Sequence, residues 1–291
     1  MSFDDAYQAL TDHDDDARWA YGTGFADPLA GVPSDFPDGV DRGDLAAYCL
    51  MLGDDALVLS HRLQQWITRA PEIEDELAVA NIGLDLLGQA RLLLTRAGQA
   101  EGAGRDEDRL AYLRDPADFR NVRLAERADA DFAELVARLL VFSTWRLALF
   151  DRLAGTGDPV LAAIAAKGVK EISYHREYAA GWVVRLGDGT ELSHARMQAA
   201  IDVVLPLCGE LFVAHPVELR LAELDVAADP AGLRAEFDAV VAEVLRVATL
   251  APAAIPAAGS PEGRAGVHGD ELTEILGELQ GLARATPGGV W

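Results

Sequence analysis

Two long apolar segments of the chain each carry polar side chains at four-residue spacing. They are Asn81, Asp85 and Gln89 in the first segment, and Lys167, Glu171 and His175 in the second. Residues four apart share one face of an α-helix, and a helix that is apolar over most of its circumference is typically buried. A polar group buried there needs a partner, because leaving it unsatisfied costs about 2–7 kcal/mol. The pattern is typical of a four-helix bundle with a polar, potentially metal-binding site at its centre.

A di-iron carboxylate centre in such a bundle needs one Glu from each of two helices and a Glu-x-x-His pair from each of the other two. Carboxylates balance the metal charge and imidazoles complete the coordination. Here Leu86 and Gln89 occupy the two ligand positions of the second helix. The other positions are equally poor in ligands, so the degenerate site comprises Asp55, Asp85, Leu86, Gln89, Ser143, Glu171, Tyr174 and His175. We expect this chain to bind no metal.

A network of polar side chains is the expected replacement for the metal. Its predicted members are Asn81, Asp85, Gln89, Lys167, Glu171 and His175. In this interpretation Lys167 supplies the positive charge, and Glu171, Asp85 or Asp55 balances it, because a buried charge requires a partner. The alternative is that Lys167 reaches solvent through its long aliphatic stem.

The elements that position these residues are helical, and the sequence shows no strand-like alternation longer than four residues. Asp44 is a candidate cap for the first helix, and Asp158 with Pro159 forms a start signal for the fourth. Helices are predicted at about 44–69, 71–98, 131–153, 159–186, 193–213, 230–250 and 270–285. The prediction is an all-α, ferritin-like four-helix bundle with additional C-terminal helices over residues 44–291, preceded by an acidic, irregular extension at 1–43.

The formal net charge of −23 argues against binding to nucleic acid or to an anionic membrane, both of which would repel this chain. No apolar run of about 18 residues lacks a charge, so no transmembrane helix is expected. The acidic N-terminus does not resemble a signal peptide, which favours a cytoplasmic protein. Cys49 and Cys208 lie in apolar helical patterns and are expected to be core residues.

Residues 105–127 contain six arginines among six acidic residues, so this region is neutral within an acidic chain. It could meet an anionic ligand such as a coenzyme A phosphate. The candidates for such a contact are Arg114, Arg120, Asn121 and Arg123. The alternative is an ordinary surface held by salt bridges.

Several long motifs resemble a known family. They are LGDDALVLSHRLQQW (52–66), APEIEDELAVANIGLDLLGQAR (70–91), LAAIAAKGVKEISYHREYAAGWVVRLGDGT (161–190), MQAAID (197–202), GVHGDEL (266–272) and the final PGGVW. Over residues 44–291 the chain resembles the C-subunit family of bacterial phenylacetyl-CoA 1,2-epoxidases, multicomponent monooxygenases of phenylacetate catabolism.

This resemblance implies a ferritin-like fold and a structural role beside a related catalytic A subunit. In that family the A subunit holds the di-iron centre, activates oxygen and epoxidises the aromatic ring of phenylacetyl-CoA, with a reductase supplying electrons. The resemblance therefore implies that this chain holds no cofactor, which agrees with the ligand count above.

Two other functions remain open from the residues alone. One is an autonomous ferritin-like di-iron oxidase or iron-binding protein. The number of metal ligands discriminates between this alternative and our interpretation. The other is an adaptor that takes no part in oxygen chemistry.

Overall fold

The computed structural model describes residues 29–257, 260–287 and 289, and residues 32–291 form one compact unit. No β-strand occurs in this part of the chain. Its α-helices are α1 (Arg42–Gln64), α2 (Ile73–Glu101), α3 (Glu107–Tyr112), α4 (Arg123–Glu126), α5 (Phe132–Leu153), α6 (Pro159–Gly187), α7 (Glu191–Val204), α8 (Pro216–Ala222), α9 (Arg234–Val247) and α10 (Asp270–Ala285). Short 3₁₀ segments at Leu205–Phe212, Pro230–Leu233 and Gly263–Ala265 connect some of them. The all-α, ferritin-like prediction is confirmed.

The four long helices are those predicted, with shifted ends in the first pair. Asp41 rather than Asp44 caps α1, accepting a hydrogen bond from the Asp44 amide at 2.9 Å. The helix ends at Gln64, before the predicted 69, because the following residues form turns such as the Trp66 amide to Leu63 carbonyl contact. In α6 the predicted Asp158 cap and Pro159 start are both present.

Two later helices are shorter than predicted. The segment expected at 193–213 divides into α7 and a 3₁₀ segment that contains Pro206, which cannot donate a helical hydrogen bond. The segment expected at 230–250 begins with a 3₁₀ turn before α9. Most of the predicted N-terminal extension, residues 1–43, lies outside the described residues, so its character stays a prediction.

The bundle is made of two helical hairpins, α1 with α2 and α5 with α6. Helices α1 and α5 are buried around most of their circumference, whereas α2 and α6 each keep one side exposed. Most residues of α5 from Leu135 to Phe150 are apolar and occupy all sides of the helix, which accounts for this difference because such a helix has no polar face to present to water. Cys49 and Cys208 are buried, as expected for core residues.

By length and composition alone α2 could cross a membrane, with a mean hydropathy of 1.4 over its most apolar window, of which 44% is buried in the protein. The helices at Glu191–Phe212 and Pro216–Ala222 pass the same test only as a pair bent by 56°. A core helix of a bundle passes this test too, and α2 packs along α1.

Close packing between α5 and α6 depends on a glycine. A Cβ atom at Gly168 would lie 2.6 Å from Cδ2 and Cε2 of Phe150, well inside van der Waals contact. A Cβ atom at Gly181, on the same helix, would meet nothing within 4 Å. The two positions therefore differ in packing while sharing one helix.

Gly168→Ala should lower the free energy of unfolding by about 1–3 kcal/mol, because the added methyl group displaces the buried Phe150 ring. Gly181→Ala is the matched control and should raise it by up to about 1 kcal/mol, since alanine favours the helix and finds free space. Urea unfolding of both variants measures the difference. Equal effects would show that the α5–α6 contact at Gly168 is not tight.

Candidate functional site

The centre of the bundle holds a cluster of buried charges. Asp55 of α1 and Arg146 of α5 are both fully buried, and Arg264 reaches them from the 3₁₀ turn before α10. Arg264 donates two hydrogen bonds to Asp55, from Nη1 to Oδ1 at 2.9 Å and from Nη2 to Oδ2 at 2.8 Å. Arg146 Nη1 lies 3.8 Å from Asp55 Oδ2, and the Val122 amide donates to Asp55 Oδ1 at 2.8 Å. We call Asp55, Arg146 and Arg264 the central charge cluster.

Both arginines remain charged at neutral pH. Burial lowers the pKa of Arg146 to about 10, although Asp55 opposes this effect. Burial also disfavours the charge of Arg264, but Asp55 and Glu218 raise its pKa above the ordinary value. The cluster therefore places two guanidinium groups around one carboxylate in a region closed to water.

A line of polar contacts runs from this cluster to the surface between α2 and α6. Arg146 Nε donates to Gln89 Oε1 at 3.1 Å, and Gln89 Nε2 donates to Glu171 Oε2 at 3.0 Å. Glu171 in turn forms an ion pair with Lys167. Gln89 thus connects the buried guanidinium to a half-buried carboxylate, and Lys167 ends the line in solvent.

The predicted position of the positive charge was wrong. Lys167 has 43% of its side chain exposed, so the structure follows the alternative in which this lysine reaches water. The buried positive charge comes instead from Arg146 and Arg264. The predicted network includes neither arginine, although Arg146 interrupts one of the most apolar stretches of the chain.

Only part of each polar line is buried, for a geometric reason. Four residues advance an α-helix by 400°, so each step in the line turns by about 40°. Asn81 is accordingly exposed, Asp85 is intermediate and Gln89 is buried. Asn81 therefore does not belong to the buried network in which it was predicted.

The second line shows the same rotation. Lys167 is exposed, Glu171 is intermediate and His175 is buried. His175 Nε2 contacts Asp85 Oδ2 at 3.0 Å, which gives a second polar bridge between α2 and α6. The other predicted positions of the degenerate site do not meet in one place. Leu86 is buried, Tyr174 is 71% exposed, and the Ser143 hydroxyl donates to the Leu139 carbonyl within its own helix at 2.6 Å.

These residues do not fit a di-iron centre. A guanidinium has no lone pair to offer a metal, and its positive charge opposes a cation. Among the residues the structure describes, no group of three His, Cys, Asp or Glu side chains is arranged to hold a metal ion. The central charge cluster is chemically suited to holding helices together and presents no open position to a reactant.

The residues expected to face coenzyme A are divided between core and surface. Arg114 is buried in an ion pair with Asp54, and Asn121 is fully buried with its amide donating to Glu126. Burial of these two contradicts the expectation that they meet an anionic ligand. Arg123 is half exposed but forms an ion pair with Glu262 at 2.7 Å, and Arg120 is of intermediate exposure. This part of the chain follows the salt-bridged alternative.

A histidine clamp joins the C-terminal part of the chain to α4 and to the loop before it. His268 Nδ1 lies 2.8 Å from Glu126 Oε2, and His268 Nε2 lies 2.9 Å from the Phe119 carbonyl oxygen. Burial disfavours the charged ring, but the hydrogen bonds to Glu126 and to Phe119 outweigh it and raise the pKa of His268. With acceptors on both sides, both ring nitrogens donate when the ring is protonated.

The comparisons with known proteins agree on one family. The phenylacetic acid catabolic protein family matches residues 32–291. The C subunit of 1,2-phenylacetyl-CoA epoxidase from Escherichia coli (strain K12) is 45% identical over 249 residues, which is 85% of this chain and 99% of that protein. The family match therefore extends over the whole helical body described above.

Asp55→Leu should destabilise the protein by roughly 3–5 kcal/mol, because two buried guanidinium groups lose their shared carboxylate. Lys167→Met should cost no more than about 1 kcal/mol, since its ion pair is solvent-exposed on one side. Denaturant unfolding of both variants tests the contrast. A small effect at Asp55, or an equally large one at Lys167, would place the essential buried charge elsewhere.

The His268 clamp should make stability depend on pH. Because the folded-state pKa is raised, the stabilisation is complete below the unfolded value of about 6.5 and is lost as the pH rises through the folded value. Melting temperatures from pH 5.5 to 9 should fall less steeply in His268→Gln than in the parent chain. Burial lowers the pKa of His61, so His61→Gln is the control and should keep the alkaline decline. An unchanged decline in His268→Gln would contradict the assignment.

Proposed function

The chain belongs to the phenylacetic acid catabolic protein family, and from this premise we propose that it is a non-catalytic, structural subunit of a phenylacetyl-CoA 1,2-epoxidase. Its partner in this proposal is a catalytic A subunit that holds the di-iron centre and epoxidises the aromatic ring of phenylacetyl-CoA. A reductase completes the complex, which operates in the cytoplasm in phenylacetate catabolism.

One observation carries the non-catalytic assignment. The centre of the bundle, where a di-iron centre would need carboxylates and imidazoles, contains the guanidinium group of Arg146. Arg146 is held there by Gln89, Asp55 and the Leu52 carbonyl oxygen, to which its Nη2 donates at 3.2 Å. A fixed cation at this point opposes the entry of two metal ions.

The proposed role of this chain is structural. Its central charge cluster stabilises a bundle without a metal, and its outer faces are then available for contact with other subunits. The alternative of an autonomous di-iron oxidase requires a ligand set that the described residues lack. We therefore assign oxygen activation to the partner.

Activity should depend on both chains together. Phenylacetyl-CoA-dependent oxygen consumption should require this chain, the catalytic A subunit and the reductase, and this chain alone should turn over nothing. After aerobic iron loading, metal analysis of the isolated chain should give no stoichiometric iron, because the remaining ligands cannot balance two metal ions.

The controls are the A subunit with reductase but without this chain, and the A subunit loaded with iron in parallel. Full activity without this chain would contradict the proposal that it is a required structural subunit. Two irons per chain, with an absorption band from a carboxylate-bridged pair, would instead favour the autonomous oxidase.

A further inference from the structure

Two oxidisable side chains share one carboxylate at the end of the bundle where α2 begins. Tyr178 and Trp182 are four residues apart on α6 and share one face of that helix. The Tyr178 hydroxyl donates to Asp75 Oδ1 at 3.0 Å, and Trp182 Nε1 donates to the same oxygen at 2.9 Å. Asp75 lies in the first turn of α2 and is buried. We call Asp75, Tyr178 and Trp182 the aromatic–acid cluster.

The cluster is held in place by further aromatic rings. Phe132 of α5 packs edge-on against Trp182, with 5.0 Å between the ring centroids, and the buried Trp66 lies 6.3 Å from Phe132. Such edge-on contacts are favourable beyond the apolar area that they bury. They fix the indole of Trp182 beside the carboxylate of Asp75, about 21 Å along α2 from Gln89 at 1.5 Å per residue.

In this setting Tyr178 loses an electron only together with its proton. Burial raises the pKa of Tyr178, and the hydrogen bond to Asp75 and its charge raise it further, so the phenol stays protonated at neutral pH. Removal of an electron makes the phenol a far stronger acid, because the ring then carries a positive charge. A base within about 2.6–3.2 Å is placed to take that proton, and Asp75 meets this condition.

Charge decides which of the two aromatic side chains keeps the radical. The guanidinium of Arg185 stacks over Trp182, with 4.4 Å between its central carbon and the ring centroid. This cation stabilises the neutral indole and opposes the positive charge that an oxidised indole carries. Tyr178 becomes neutral once Asp75 has taken its proton, and an oxidised phenol is a stronger acid than an oxidised indole. The radical therefore settles on Tyr178.

We propose that Tyr178 is a redox-active tyrosine, which a one-electron oxidant converts to its neutral radical with Asp75 as the proton acceptor. In this step the phenolic O–H bond breaks, an O–H bond forms on Asp75, and one electron passes to the oxidant. A one-electron reductant such as a thiol reverses the step, because Asp75 returns the proton as the electron arrives. The site lies apart from the central charge cluster and gives the chain a redox function of its own.

The use of such a site is protection, and this part of the inference rests on the proposed function. Oxygen activation produces one-electron oxidants that damage side chains when they escape reaction with the substrate. A tyrosine that is oxidised and reduced again without loss removes such oxidants from the complex.

Photo-oxidation of the full, isolated chain tests the site. Flash-generated tris(bipyridine)ruthenium(III) is the one-electron oxidant, and electron paramagnetic resonance with transient absorption identifies the radical. The parent should form a long-lived tyrosyl radical, and Tyr178→Phe should lose most of it. Tyr174→Phe is the matched control and should keep it, because Tyr174 is 71% exposed one turn earlier on α6 and has no carboxylate partner in the described part of the chain.

A second variant tests the proton acceptor. Asp75→Asn keeps the size of the side chain and an oxygen for both hydrogen bonds, but the amide is not basic. Formation of the Tyr178 radical should slow by roughly 100-fold, the lower end of what a positioned base contributes. Circular dichroism and melting temperature show whether each variant is folded. If Asp75→Asn does not fold, the solvent isotope effect of the parent replaces it, and formation should be slower in deuterium oxide.

Three results would overturn the inference. They are a full tyrosyl signal in Tyr178→Phe, a tryptophanyl radical as the stable product in the parent, and equal rates of formation in water and deuterium oxide. All are measured without a partner, so none of them bears on the proposed function.

The protective use is tested in the complex with the catalytic A subunit and reductase. Tyr178→Phe should keep the initial rate of the parent but complete fewer turnovers before inactivation, whereas Tyr174→Phe should match the parent in both. Equal turnover numbers in all three would contradict protection. A complex in which the parent chain supports no activity would instead contradict the proposed function, and with it the protective use, while the photo-oxidation result would still stand or fall by itself.

Discussion

The structure depends on balancing the charge of Arg146 in the interior of the bundle. A buried guanidinium without a partner costs several kcal/mol, and α1 and α2 both contribute polar atoms to it. Asp55 comes from α1, Gln89 from α2, and Glu171 of α6 reaches Arg146 through Gln89. The same Asp55 also holds Arg264, which brings the C-terminal part of the chain onto the bundle. Contacts of Arg146, and of its partners Gln89 and Asp55, thereby join four helices and a distant turn.

Other buried arginines repeat this arrangement at the periphery of the core. Arg96 of α2 pairs with Asp158 at 2.5 Å, and both side chains are fully buried. Arg138 of α5 pairs with the buried Asp129 in the preceding loop. Arginine suits such sites because its planar group binds carboxylates with two hydrogen bonds and is less strongly hydrated than lysine. Replacement of a complete pair by apolar residues is often tolerated while loss of one partner is not, so these pairs specify which elements meet.

The centre of the bundle is closed, whereas the outer side of α2 is exposed. With a guanidinium where metal ligands would stand, the centre of the bundle has no reactive position. The outer side of α2 exposes apolar residues, among them Leu77 and Leu84. In the function proposed above, such a protein contributes shape and contact to a complex, and the chemistry is assigned to its partner.

The sequence by itself determined the fold class and the four long helices, and it led to the expectation that no di-iron ligand set is present. These features depend on local information, namely apolar periodicity, the Asp158–Pro159 start signal and the residue types at fixed spacings. It also located two polar lines, but not which end of each line is buried, because a 40° drift per step matters only once the neighbouring helices are in place.

Only the tertiary structure decided which charges meet. Arg264 and Asp55 are 209 residues apart, and no local pattern links them. The pairing of Arg114 with Asp54 likewise joins residues 60 positions apart, turning an expected surface arginine into a core residue. A buried charge that is left unpaired costs free energy, so the folded structure pairs each of them. Which charges are buried together depends on the packing of the whole interior and not on local sequence.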